Sequence, residues 1–326
     1  MTKNTSRASD PRPQLSDVRE ARRRISGYVR PSPVVRSPWI AGSGRAEVWL
    51  KLETLHPTRS FKVRGAYSAL LKLARGPRPL EEVVTASAGN HGAAISRAAR
   101  DLNVAATVFA PRSAPRTKLD AIRALGATLH ADATDCDEAE RSAERHARQA
   151  GAPYVSPYAD PAVIAGAGTI GLELLEDLPA LSTVIVPVGG GGLVSGIALV
   201  MKAIRPDVRV VGAEAARNPA LSVAVGEGRI TPIEVGDTVA DGLSGNLAPG
   251  SITFELVRDL VDELTLVPES EIVAAMRQLL EHDRLIVEGA GAVAVAAAAA
   301  RTDADGIVAA IVSGANIDLD RLEGWS

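Results

Sequence analysis

Lys62 is the side chain in this sequence best placed to do chemistry. It lies in Ser60-Phe61-Lys62-Val63-Arg64-Gly65-Ala66, just after the strand-like run Val48-Trp49-Leu50-Lys51-Leu52. A free lysine amine titrates near about 10.4 and is almost wholly protonated at neutral pH, so it is a poor nucleophile. Held as an imine on an aldehyde cofactor it escapes that limit, and on release it becomes a neutral base. Lys62 is therefore a candidate Schiff-base lysine. Taken alone, the heptapeptide fits a solvated surface lysine equally well, and the stretches downstream must decide.

Thr85-Ala86-Ser87-Ala88-Gly89-Asn90-His91-Gly92 falls between a strand pattern and a helix pattern. Backbone N–H groups at a helix start are unpaired and turn toward anions. Ser87 and Asn90 add side-chain donors, which makes a carboxylate-sized cradle. The same residue types also make an ordinary cap. Gly189-Gly190-Gly191-Gly192 follows the apolar run Thr183–Val188 and precedes Leu193-Val194-Ser195. Four glycines between strand and helix let backbone wrap a phosphate without Cβ interference. No Gly-Lys-Ser/Thr follows, so this is not a P-loop. Ser313, in Ser313-Gly314-Ala315-Asn316, stands at the carboxyl end of an apolar strand, where α/β folds bind ligands. Glu288 opens an apolar helix, where a carboxylate also favours the helix N-terminus.

Gly166-Ala167-Gly168-Thr169-Ile170-Gly171 matches the dinucleotide pattern GxGxxG. The fingerprint needs a preceding strand, and Asp160–Ile164 reads as the first turn of a helix. These glycines are expected to permit close helix packing instead. His56, His130, His146 and His282 share no metal-ligand spacing, and no metal site is expected.

The composition narrows the classes. The 326 residues suggest about two domains. Hydrophobic residues make up 46% and aromatics only 3%, so Ala, Val, Leu and Ile must fill the core. A net charge of −3 gives no basic excess for nucleic acid. The single Cys136 rules out an intrachain disulfide. The most apolar run, Ala290 to Ala300, is shorter than the roughly 20 residues that span a bilayer, and reads as a buried helix. No secretory signal is visible. The expectation is a cytoplasmic protein without membrane or nucleic-acid partners.

The elements that must position these residues read as α/β. Residues 1–14 are expected to be a disordered tail. Leu15–Tyr28 reads as a helix with Ser16 as N-cap, and Arg30–Pro38 as extended chain. A helix is expected from Val63 to Ala74. From Glu82 apolar runs at Val83, Ala105 and Thr128 alternate with helices at Gly92–Leu102, Thr117–Leu125 and Asp137–Ala150. A second series after Asp160 has strands at Thr183, Val208 and Ile307 and helices at Val163–Glu176, Val194–Ile204 and Glu269–His282. Strands alternating with such helices imply βαβ units. The expected fold is two lobes, each an open, parallel-rich twisted sheet flanked by helices. Residues 15–81 and 157–326 form the larger domain, with 82–156 inserted as the smaller. The chain ends soon after the last strand, and no added regulatory domain is expected.

The lysine heptapeptide, the Ser-Ala-Gly-Asn-His loop, the tetraglycine and the Ser-Gly-x-Asn turn, in that order, resemble the threonine/serine dehydratase and serine racemase group. These are pyridoxal-phosphate enzymes of the tryptophan-synthase β fold type (fold type II), and the likeness runs from about Ser16 to Asn316. The resemblance implies that Lys62 is the catalytic residue, in Schiff-base linkage to pyridoxal 5'-phosphate. It implies cofactor contacts from Phe61, Asn90 at the phenolic oxygen, Gly189 to Leu193 at the phosphate, Gly242 beside the ring, Glu288, and Ser313 at the pyridine nitrogen. Ser87, Ala88, Gly89, Asn90 and His91 would hold the substrate carboxylate, and the protein would be a homodimer. The implied reaction is β-elimination from L-threonine or L-serine to a 2-oxo acid and ammonia.

Departures from the group bear on substrate. Ala88 stands where the racemases place a serine acid/base, and a methyl cannot transfer a proton. Near Glu214 the second acid of the group's cation site is absent, with Arg217-Asn218-Pro219-Ala220 in its region. Arg59 replaces a glycine or histidine beside the lysine. Hydroxyaspartate, phenylserine or a hydroxyectoine-derived amino acid are therefore alternative substrates, and a non-catalytic cofactor-binding module is an alternative of another class.

Overall fold

A computed structural model describes residues 12–40, 46–301 and 305–318. The chain begins with α1 (Leu15–Ile25), β1 (Val34–Arg36) and β2 (Glu47–Leu52), and α2 (Lys62–Leu73) follows a short 3-10 turn, Glu53–Leu55. Next come β3 (Glu82–Ala86), α3 (Asn90–Asp101), β4 (Ala105–Pro111), α4 (Arg116–Ala124), β5 (Thr128–Ala133) and α5 (Cys136–Ala150). Then α6 (Pro161–Asp177), β6 (Leu181–Pro187), α7 (Gly192–Ile204), β7 (Arg209–Ala215), α8 (Ala220–Glu227), α9 (Ile252–Leu260) and β8 (Glu263–Val267) lead to α10 (Glu269–Gln278), α11 (Gly289–Ala300) and β9 (Ile307–Val312).

Two sheets result. The larger has the order β1-β2-β9-β6-β7-β8, parallel except for β1, and the smaller is β3-β4-β5, all parallel. The small sheet is made from chain that lies between β2 and β6 in sequence. β9 is the centre of the large sheet although it comes last. Its residues Ile-Val-Ala-Ala-Ile-Val are apolar on both faces, as a central parallel strand requires. Successive side chains point to opposite faces. Val308, Ala310 and Val312 thus join the core under α10 and α11, while Ala309 and Ile311 join the core under α6, α7 and α9.

The register fixes the site. Leu52 of β2 pairs with Val312 of β9, and Ile185 of β6 pairs with Ala310. The carboxyl ends of three adjacent parallel strands therefore coincide, and the chain leaves them as the Lys62 loop, the Ser313 turn and the tetraglycine. The Phe61 N–H donates to the Ser313 carbonyl at 3.0 Å, and Ser60 bridges Gly314.

The GxGxxG glycines lie inside α6. A Cβ on Gly168 would come within 2.8 Å of the Gly196 carbonyl on α7, and one on Gly171 within 2.9 Å of Val200. They allow helices to touch backbone to backbone, as the sequence reading holds.

Some boundaries differ from expectation. The N-cap of α1 is Gln14 and not Ser16, because Asp17 three residues on accepts from the Gln14 N–H at 2.8 Å and closes a capping box. The helix expected to His282 stops as α at Gln278 and continues as a π turn over Leu279–Asp283. Asp283 is drawn there by Ser37 and Trp39, and Arg284 then turns left-handed at φ 58. β1, β8, α8 and α9 are not evident from sequence patterning. The tail expected over 1–14 lies outside the described residues as far as residue 11; Arg12 sits 3.3 Å from Asp259.

Candidate active site

Lys62 is the first residue of α2. Its Nζ donates to the Pro157 carbonyl at 2.8 Å and lies 5.1 Å from the Phe61 ring centroid. Burial pushes the amine down to about 8, against the opposing pull of the Glu288 carboxylate. A lysine with that value has a sizeable neutral fraction near pH 7.5, which a base or nucleophile needs.

The helix that carries Lys62 is anchored by Arg64, two residues on and 1% exposed. Its guanidinium donates twice to Glu53, at 2.7 and 2.9 Å, and twice to Glu173, at 2.5 and 2.8 Å. Thr169 on α6 accepts a further bond at 3.0 Å. Lys51 joins the cluster 2.9 Å from Glu173, and His56 stands 3.0 Å from Glu53. Burial alone would raise the Glu53 carboxyl, but Arg64 and His56 outweigh it and hold it well below the ordinary range. One buried network thus ties the chain after β2, α2 and α6 together behind the amine.

Across from Lys62 a second chain of polar contacts sets the wall. Asn90 donates to the Glu288 carboxylate at 2.6 Å and accepts from Asn316 at 2.6 Å. Asn316 also donates to the Thr58 carbonyl at 2.8 Å. Glu288 is the N-cap residue of α11, yet its carboxylate makes no cap bond and turns to Asn90 instead. Burial pushes this carboxyl up to about 7, with the Asn90 bond acting the other way. Any side chain at Gly314 would collide with the same carboxylate. Ser313 is buried, and its hydroxyl donates to the Ala290 carbonyl at 3.2 Å.

The tetraglycine is shaped by what surrounds it. Gly191 has φ 84, a left-handed value that favours glycine, and caps α7. A Cβ on Gly189 would lie 2.9 Å from Leu243, one on Gly190 would clash with the Tyr158 ring, and one on Gly192 would lie 2.7 Å from the Tyr158 carbonyl. The loop is thus bare backbone at a helix N-terminus, with Leu193 beginning the first turn. Gly242, in the 3-10 turn Asp241–Leu243, meets Ala290 of α11 and brings backbone to the same place. Glycine backbone packed too closely for any Cβ at a helix N-terminus, a half-buried amine and a buried neutral hydroxyl fit an aldehyde cofactor bearing a phosphate.

The Ser87–His91 loop leaves the carboxyl end of β3 in the small sheet. Ser87 Oγ accepts from the Gly89 N–H at 3.2 Å, and Ala88 presents only a methyl. His91 is buried with Nε2 3.4 Å from the Val155 carbonyl, while its Nδ1 has no partner. Burial and the Lys62 charge push it down to about 3, so the ring is neutral. His91 can offer a carboxylate its backbone N–H and no charge. Glu214 accepts from the backbone N–H groups of Leu221 and Ser222, both at 2.8 Å, and from the Ser222 hydroxyl. Its two oxygens cap α8. Among the described residues no group of three His, Cys, Asp or Glu is placed to hold a metal.

The family model described as pyridoxal-phosphate dependent enzyme matches residues 25–314. The chain belongs to that family. Its cofactor is pyridoxal phosphate, and it is similar to an L-threonine ammonia-lyase of Thermotoga maritima, 41% identical over 95% of this chain and 77% of that protein. It is also similar to a catabolic L-threonine dehydratase of Staphylococcus aureus, 37% identical over 95% of this chain and 91% of that one. The structure of maize serine racemase superposes with a TM-score of 0.89 at 34% identity, covering 95% of each chain. These likenesses carry the family's two-lobed α/β architecture to this enzyme.

Sequence reasoning passed over several residues at this candidate site. Tyr158 packs on the cradle and accepts from the Ala248 N–H at 2.9 Å. Its only signal was its place just after the small lobe. Asn316 was visible as the last residue of its motif, though not as the partner of Asn90. The Glu53 and Glu173 carboxylates had no local signal at all.

Proposed function

We propose that this enzyme is an ammonia-lyase that eliminates water from L-threonine and L-serine and releases a 2-oxo acid and ammonia. The observation that carries this reading is the meeting of Lys62, bare glycine backbone and the neutral Ser313 at three adjacent strand ends. The names of its relatives support it, since two of them are L-threonine ammonia-lyase and L-threonine dehydratase.

Pyridoxal phosphate, when bound, supplies an aldehyde for amines and a ring that draws electrons from the substrate Cα. Lys62 would carry the cofactor and, once its amine is free, take the Cα proton on Nζ. The backbone from Gly189 to Leu193 would hold the phosphate. Phe61 and Gly242 would flank the ring, and Asn90, fixed by Glu288 and Asn316, would face its phenolic oxygen. Ser313 offers an uncharged hydroxyl, which does not hold a ring nitrogen protonated as a carboxylate would. That favours prompt loss of the β-substituent over a long-lived carbanion. Ser87, Ala88, Gly89, Asn90 and His91 would take the substrate carboxylate. Ala88 has no proton to give, so racemisation falls well below dehydration.

The smaller domain is assigned to 82–156, inserted in a larger one made of 15–81 and 157–326. No helix is long and apolar enough to cross a membrane among the described residues. A cytoplasmic homodimer is the assembly we expect, with sedimentation as its check. Purified protein should show the visible absorbance of a pyridoxal imine and release ammonia from L-threonine. Lys62→Ala should abolish both, and turnover retained in that variant would refute the assignment.

A further inference from the structure

His91 is the second residue of α3, directly after Asn90, and it is 2% exposed. Its ring is held on one side. Nε2 lies 3.4 Å from the Val155 carbonyl, which also accepts from the Thr85 hydroxyl at 2.8 Å. A carbonyl only accepts, so Nε2 carries the ring hydrogen and Nδ1 is a bare lone pair. That nitrogen is buried and has no partner. A buried acceptor left unmet is costly, and one in a substrate loop calls for a ligand atom that donates to it.

The other polar groups around it are engaged or adaptable. Asn90 donates to Glu288 and accepts from Asn316, Lys62 Nζ donates to the Pro157 carbonyl, and Ser87 Oγ accepts from the Gly89 N–H. Thr58 Oγ1 and Ser60 Oγ are also buried without a partner, but a hydroxyl carries its own hydrogen and rotates to suit a ligand. The His91 lone pair is fixed in direction by the Val155 bond. Burial and the nearby Lys62 charge keep the ring neutral, so the lone pair is present throughout the neutral pH range.

A β-hydroxy amino acid brings three polar groups to this loop. Its carboxylate only accepts. Its amino group is the one that joins the cofactor aldehyde. The β-hydroxyl is the donor that remains. We infer that His91 Nδ1 accepts the hydrogen of the substrate's β-hydroxyl, and that this contact selects β-hydroxy amino acids over those with a leaving group that cannot donate. The inference rests on the dehydratase reading and deepens it by naming the group that reads the hydroxyl. His91 gains and loses no proton. It orients the C3–O bond and leaves the oxygen lone pairs open to the proton with which the hydroxyl departs as water.

The test compares L-serine with β-chloro-L-alanine, which gives the same 2-oxo acid and has no hydroxyl hydrogen. In the His91→Leu holoenzyme kcat/KM for L-serine should fall on the order of tenfold relative to β-chloro-L-alanine, the scale of one buried hydrogen bond whose partner is removed. His91→Asn, which sets an amide oxygen near the place of Nδ1, should recover part of that ratio. A binding readout uses two amino acids without a Cα hydrogen, which cannot be eliminated. The wild-type holoenzyme should bind α-methyl-L-serine more tightly than 2-aminoisobutyrate in a calorimetric titration, and His91→Leu should erase the difference. Equal losses on L-serine and β-chloro-L-alanine overturn the inference and leave the dehydratase reading standing. Equal wild-type affinity for the two unreactive amino acids overturns it as well, with no variant needed. Ammonia release from neither substrate by the wild type overturns the dehydratase reading itself.

Discussion

Replacing Arg64 by methionine should destabilise the protein strongly, and by an amount that depends on pH. The guanidinium is 1% exposed and makes four bonds to Glu53 and Glu173, which are 0% and 5% exposed. Removing one partner from a buried ion pair costs about 3–5 kcal/mol, because the remaining charge keeps its desolvation penalty. Lys51 still faces Glu173 and His56 still faces Glu53, so about 4 kcal/mol is a reasonable centre. At about 2.1 cal/mol/K per residue, 326 residues give an unfolding entropy of about 0.7 kcal/mol/K. The expected fall in Tm is then about 6 °C.

The pH dependence has a definite sign. In the wild type Arg64 and His56 hold Glu53 below its unfolded value, against the pull of burial. That stability is present above the unfolded value, about 4.3, and is lost as pH falls through the folded one. In the variant, burial acts on Glu53 with one cation fewer, and the folded value moves up. The penalty is then present above the raised value and is relieved as pH falls. From pH 7 to pH 4.5 the wild-type contribution stays in place, and the relief of the variant's penalty alone shrinks the gap between the two proteins. Thermal unfolding of both proteins at four or five pH values reads this directly. A loss under about 1 kcal/mol, or one constant across the range, would show that the network is not the anchor described.

Two further substitutions probe the site. Gly190→Ala drives a methyl against the Tyr158 ring, whose hydroxyl is held by Ala248, so the loop must move; cofactor affinity should drop on the order of tenfold in a titration of the apoprotein, and unchanged affinity would speak against the cradle. Glu288→Gln removes a carboxyl that burial raises from its ordinary 4.5 to about 7. Ionising it costs the folded apoprotein up to about 3 kcal/mol above pH 7 and nothing below the unfolded value of about 4.3. The glutamine variant should therefore gain stability over wild type at pH 8 and lose that gain as pH falls to 4.5; equal stability at both pH values would contradict the burial argument.

The parts of the candidate site that sequence made legible are those whose signal is local. Lys62, Asn90, the four glycines and Ser313 each stand in a short stretch whose residue types match one task. Each stretch also follows a strand pattern, which tells where it must leave the sheet. The rejection of a dinucleotide site at Gly166 rested on the same local logic, and α6 runs through those glycines without a break. What stayed hidden depends on separation along the chain. Arg64 meets Glu53 at 11 residues and Glu173 at 109, and no window of sequence contains both. Glu288 illustrates the limit differently. A carboxylate that opens a helix ordinarily serves the helix, and only the fold brings Asn90, 198 residues away, to claim it. β1 and β8 were missed because edge strands of three and five residues are half-exposed and carry no apolar run.

The order of strands explains why local motifs scattered over some 250 residues can act together. Parallel neighbours share a direction, so every connection that leaves their carboxyl ends emerges on one side of the sheet. β9 comes last in the chain but lies between β2 and β6, which inserts the Ser313 turn between the Lys62 loop and the tetraglycine. Had β9 been added at the sheet edge beyond β8, the same motifs would have stood strands apart. The pairing of Leu52 with Val312 is therefore as much a part of the site as the lysine. That pairing depends on the unbroken apolar run of β9, whose central position leaves neither face for a polar side chain.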